Sequence, residues 1–132
     1  MSMTTRHVLS VGQCGFDHSS ISRFLRQAIG ARVEPVPSSE EALSALRADP
    51  SRYDLVLVNR VFDSGGSGID LIRSIRQDAA LAGVPVMLVS DHQDAQRQAV
   101  ALGALPGFGK SQLGDPTTAD RLKDALACPG GS

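Results

Sequence analysis

Three polar side chains stand where apolar runs of the chain break off: Asn59 after "DLVLV", Ser90 after "VPVMLV" and Lys110 in "GFGKSQL". An amide, a hydroxyl and an ammonium can bond an oxyanion or one another, but none is a carboxylate able to hold a hard cation or attack a phosphoryl group. Lys110 is expected to bond the Asn59 amide oxygen or to extend to water, and the trio to lock its crevice in one conformation. Cys14, His18 and His92 are ligand types that suit zinc or copper, yet they come from separate loops without short ligand spacing, so no metal site is expected. Cys14, near a helix amino end, could carry a lowered pKa and sense oxidants, although an inert thiol is the simpler expectation. Asp17 and Asp63 are the nearest carboxylates. Asp17 falls where a helix needs a cap and Asp63 lies in a turn-like "DSGG", so capping and turn roles are expected. Gly65, Gly66 and Gly68 match neither a P-loop nor a dinucleotide fingerprint. No nucleophile is grouped with a base and an orienting partner, which disfavours a small hydrolase or transferase.

The elements that must position these groups alternate with little left over. "HVLSV" (7–11) is a short strand, and "RVEPV" (32–36) a weaker one whose Pro35 argues for a sheet edge. "DLVLV" (54–58) and "VPVMLVS" (84–90) are unbroken aliphatic runs, the pattern of strands covered on both faces. "LPGFG" (105–109), with two glycines and a proline, is placed last. Ile21, Phe24, Leu25, Ala28 and Ile29 form the apolar stripe of a first helix. Ser38 with Glu41 makes a capping box before Ala42, Leu43 and Leu46. Ser67 precedes a helix with Ile69, Ile72 and Ile75, and Asp91 can cap one with Ala95, Ala99 and Leu102. Asp115 and Pro116 open a fifth, with Ala119, Leu122 and Leu126 facing inward. Five βα units with short connections predict a parallel sheet with right-handed crossovers and helices on both faces, a doubly wound three-layer α/β domain. Ligands of such sheets bind in the crevice outside the carboxyl ends of the strands, where Asn59, Ser90 and Lys110 all fall.

Composition narrows the class. The 132 residues suit a single domain (1–132) with its core at about 6–127, and 42% hydrophobic with 20% charged residues suits a folded soluble chain. Thirteen basic against fourteen acidic residues, with no Lys/Arg run, argue against nucleic acid as a partner. The sequence has neither an apolar run of membrane-spanning length nor the features of a signal peptide, so a cytoplasmic location is expected. Cys14 and Cys128, at opposite ends, suit free thiols in a reducing compartment.

With these elements in order, the chain resembles a CheY-like receiver domain of the two-component response regulators. "YDLVLVN" matches the phosphoacceptor strand, Gly68 opens the third helix, "VPVMLVS" ends in the family's Ser/Thr at Ser90, and "ALGALPGFGK" reproduces the spacing to the family's lysine at Lys110. The resemblance covers roughly residues 6 to 127 and implies the flavodoxin-like (βα)5 fold with a five-stranded parallel sheet in the order 2-1-3-4-5. In the family, two adjacent acids after the first strand and an aspartate after the third hold Mg²⁺, and that aspartate is phosphorylated by a sensor kinase. The Ser/Thr and Lys then contact the phosphoryl oxygens, and an aromatic on the fifth strand swings inward. This chain departs at each of these points except Ser90 and Lys110. The acidic pair falls on Gly12 and Gln13, and the phosphoacceptor on Asn59. The proline after the lysine falls on Ser111, and the aromatic switch on Gly107, with Phe108 facing the opposite side. The resemblance thus implies a degenerate receiver in which Mg²⁺ binding is weak or absent and no cofactor is needed. It would act in signal transduction, without enzymatic activity, by phosphorylation-independent binding to a sensor kinase, a regulator or a second copy through the fourth-helix to fifth-helix face. The alternative is a receiver-like switch that takes a small anion or metabolite into the crevice near Lys110 and Ser90.

Overall fold

A computed structural model describes residues 6–13, 15–62 and 66–127. Five strands alternate with five helices: β1 (His7–Val11), α1 (Gly15–Ile29), β2 (Arg32–Val36), α2 (Ser39–Ala48), β3 (Leu55–Asn59), α3 (Gly68–Gln77), β4 (Val86–Val89), α4 (Gln93–Ala101), β5 (Leu105–Phe108) and α5 (Pro116–Ala127), with a short 3-10 turn at Lys110–Gln112. All strand pairs are parallel, in the order β2-β1-β3-β4-β5. This is the predicted flavodoxin-like topology.

The central strands earn their place by composition. Every residue of β4, and Leu55 to Val58 of β3, is buried, so aliphatic side chains meet helices on both faces. The two edges each carry a proline, Pro35 in β2 and Pro106 in β5, where a missing N–H interrupts no inner ladder. Alternation along the strands divides the core in two. Leu9, Val11, Val56, Val58 and Leu88 pack with Ala42 and Leu46 of α2, Leu71, Ile72 and Ile75 of α3, and Ala95 and Ala99 of α4. Val8, Leu55, Leu57, Met87, Val89 and Phe108 pack with Ile21 and Leu25 of α1 and Leu122 and Leu126 of α5. Phe108 therefore lies on the α1/α5 side, buried to 1% exposure, as its offset from Gly107 predicts.

Helix starts follow local chemistry only in part. Ser38 caps α2 through its hydroxyl, which accepts from the Glu41 N–H at 3.3 Å. Ser67 stands at the N-cap of α3 without a side-chain cap bond. Asp91 does not cap α4: His92 holds that position, and the Asp91 carboxylate instead accepts from the Ser111 hydroxyl. Asp17 lies inside the first turn of α1 rather than ahead of it. No helix among the described residues is long and apolar enough to cross a membrane.

Candidate functional site

The strand register brings the sequence-marked residues to one end of the sheet. Val11 pairs with Val58, and Asn59 with Val89, so the β1–α1 loop, the end of β3 and the β4–α4 loop lie side by side. Asn59, Ser90 and Lys110 line one cavity of about 300 Å³, together with Arg60, Val61, Val89, Asp91 and His92.

Their bonding differs from the expected lock. The Asn59 amide nitrogen donates to the carbonyl oxygens of Gly12, at 3.1 Å, and Val61, at 2.9 Å, stitching the end of β3 to the β1–α1 loop. Lys110 does not pair with Asn59. Its Nζ lies 2.6 Å from Asp17 Oδ2 in a half-buried ion pair that joins the loop after β5 to the first turn of α1. The physical reason is charge: a carboxylate within reach outcompetes a neutral amide oxygen for an ammonium. Ser90 is buried, and its hydroxyl accepts from the His92 N–H at 3.1 Å, bracing the start of α4.

Gly12 and Gln13 stand beside this cavity without lining it. Gly12 has φ +76°, and a Cβ built on it would lie 2.1 Å from Cδ1 of Phe62. Phe62, 3% exposed, is pressed between Gly12 and Gly66, so an aromatic ring fills the space into which a side chain at position 12 would project. The Gln13 amide has both polar atoms enclosed and no partner among the described residues. Gly68 is needed for close approach, because a Cβ there would come within 2.1 Å of the Asn59 carbonyl oxygen.

Two further residues were not marked by the sequence. Phe62 is one. Gln96 of α4 is the other: its amide donates to Leu88 O at 2.8 Å and Ser90 O at 3.0 Å and accepts from Gly107 N at 3.2 Å. Sequence shows a glutamine on a polar helix and a phenylalanine before a glycine-rich loop; only the approach of distant backbone gives either its role. Among the described residues, no group of three or more His, Cys, Asp or Glu side chains gathers as a metal site. Cys14, Asp63, Gly65 and Cys128 lie outside the described residues.

No family model matches the chain. It is 31% identical over 91 residues to the two-component response regulator ORR3 of Oryza sativa, in both subsp. indica and subsp. japonica, a stretch covering 69% of this chain and 67% of the rice protein. Among solved structures it resembles a protein assigned as a response regulator from Chloroflexus aurantiacus, with a TM-score of 0.81 and 21% identity, covering 95% of this chain and 100% of that one. A signal receiver domain of a DNA-binding response regulator from Colwellia psychrerythraea gives 0.76 and 21%, covering 93% and 99%. The phosphorylated cyanobacterial phytochrome response regulator RcpA gives 0.69 and 20%, covering 98% and 100%. The solved structures share the fold, and the rice relatives carry the family: this chain belongs to the CheY-like receiver domains of the two-component response regulators, proteins of signal transduction.

Proposed function

We propose that this chain is an atypical, non-enzymatic receiver that signals by protein–protein interaction without phosphorylation at the end of β3. The observation that carries the reading is the Asn59 amide, whose nitrogen donates to Gly12 O and Val61 O. An amide nitrogen there is neither a nucleophile for phosphoryl transfer nor an anionic ligand, and its two bonds already occupy the neighbouring carbonyl oxygens.

Mg²⁺, which the family implies, does not fit the residues at this end of the sheet. A hard dication keeps several waters but needs one or two carboxylates to offset the rest of its dehydration. Gly12, Gln13 and Asn59 supply none, Phe62 fills the space at position 12, and of the carboxylates nearby Asp17 is paired with Lys110 while Asp91 accepts from the Ser111 hydroxyl. The same ion pair weakens the reading in which a small anion settles against Lys110 and Ser90, because the ammonium already faces a carboxylate at 2.6 Å.

With the crevice retired, the output falls to a surface. The α4–β5–α5 face carries a groove of about 810 Å³ lined by Gln93, Arg97, Val100, Pro106 and Arg121 among others, with Val100 exposed. A sensor kinase, a regulator or a second copy of the chain would dock there, in the cytoplasm, as a single receiver domain. Ligand linkage tests the metal half of the reading: the melting temperature should not change as Mg²⁺ is raised into the millimolar range. A saturable rise, abolished by Asn59→Ala, would overturn it.

A further inference from the structure

The pairing of β4 with β5 is irregular. Met87 pairs with Leu105 and Val89 with Phe108, so three steps on β5 oppose two on β4, a bulge that leaves backbone groups of the extra residue without a ladder partner. Both groups of Gly107 are met by side chains from neighbouring helices. Its N–H donates to Gln96 Oε1 of α4 at 3.2 Å, and its carbonyl accepts from Arg121 Nη1 of α5. The Gln96 amide nitrogen also binds Leu88 O and Ser90 O, fastening α4 across the end of β4. No side chain fits at this point of the strand: a Cβ on Gly107 would lie 2.0 Å from Leu88 O and 2.9 Å from Gln96 Oε1.

From this geometry we infer that Gln96, Gly107 and Arg121 form a clasp that holds α4, β5 and α5 in a single arrangement. Gln96 and Arg121 are positioning residues of the docking face. The glycine is required because the Leu88 carbonyl of β4 and the Gln96 side chain both approach the place a Cβ would take, and the bulge is what frees its backbone to be reached. This inference rests on the reading that the face carries the output. It adds that the face is kept in one conformation by its own polar contacts, whatever the state of the crevice around Asn59.

Native-state hydrogen exchange on the full chain tests the clasp. In the unaltered protein the Gly107 amide should be protected although it lies on an edge strand. Gln96→Ala should speed its exchange by about tenfold more than that of the Leu57 and Val58 amides, since a single lost hydrogen bond opens one locus rather than the core. Arg121→Ala is the second variant. It leaves the Gly107 N–H capped, so Gly107 protection should hold while the amides of Val100 and Ala101 broaden or shift as the face loosens. Free exchange of Gly107 in the unaltered chain, or equal acceleration of Gly107 and the β3 amides in Gln96→Ala, would overturn the inference. A melting response to Mg²⁺ would instead strike the reading of the crevice and leave the exchange result standing.

Discussion

At the scale of single residues, two contacts set the cost of placing carboxylates at positions 12 and 59. Gly12 combines a left-handed backbone, φ +76°, with a phenylalanine ring where its side chain would go. Gly12→Asp should therefore cost about 2–4 kcal/mol from overpacking and backbone strain together. Phe62→Ala alone should cost about 3–5 kcal/mol as a large-to-small change in a buried site. The two costs should not add: in urea unfolding the double variant should be about 1–2 kcal/mol more stable than the sum of the singles predicts, because each change relieves the other. Strict additivity would mean that the ring does not occupy the space at position 12. Asn59→Asp replaces a donor to two carbonyl oxygens by a carboxylate facing them, a loss of about 2–3 kcal/mol at neutral pH. It should be less stable than Asn59→Ala, which leaves the same oxygens unpaired but adds no charge. An Asp variant as stable as the unaltered chain would contradict this bonding.

Between elements, charged pairs tie the sheet's ends to its helices. The Lys110–Asp17 pair joins the loop after β5 to α1, and with side chains 36% and 22% exposed its coupling energy should be only about 1 kcal/mol. A cycle through Lys110→Met and Asp17→Asn should find that value and see it shrink with added salt. At the opposite end, Tyr53 donates to the Glu34 carboxylate on edge strand β2. Burial first, then that hydrogen bond and the Glu34 charge, push its phenol up to about 12. The folded state thus keeps this proton while the unfolded chain releases it near pH 10, so the contribution is complete below pH 10 and is lost as pH rises toward 12. Tyr53→Phe should flatten that part of the stability profile in alkaline unfolding titrations. How much of this was legible depended on the range of the interaction. Strands β3 and β4 declare themselves in unbroken aliphatic runs, and Pro35 marks an edge without reference to any neighbour. Asp91 was misjudged as a cap, and the pairing of Asp17 with Lys110 was missed, because an acid near a helix start looks the same whatever else it bonds. The lysine that pairs with Asp17 is 93 residues away, and the serine that bonds Asp91 is 20. Phe62 and Gln96 act through backbone brought near by folding, which no local pattern records.

For the molecule as a whole, the receiver scaffold and its sheet order are present, and internal contacts occupy the strand ends: amide to carbonyl at Asn59, ammonium to carboxylate at Lys110, ring to glycine at Phe62. Two of these contacts give polar groups at the strand ends, the Asn59 amide and the Lys110 ammonium, partners within the chain. On this account the domain is a fixed docking module rather than a two-state switch. The central claim is that the crevice no longer responds to the phosphorylated condition, and amide spectra of the full chain with Mg²⁺ and beryllofluoride, a phosphoryl analogue, test it most directly. The account predicts that the resonances of Asn59, Ser90 and Lys110, and those of Val100 and Gly107 on the docking face, stay where they are. Saturable shifts at Asn59 that carry through to Gly107 would contradict it.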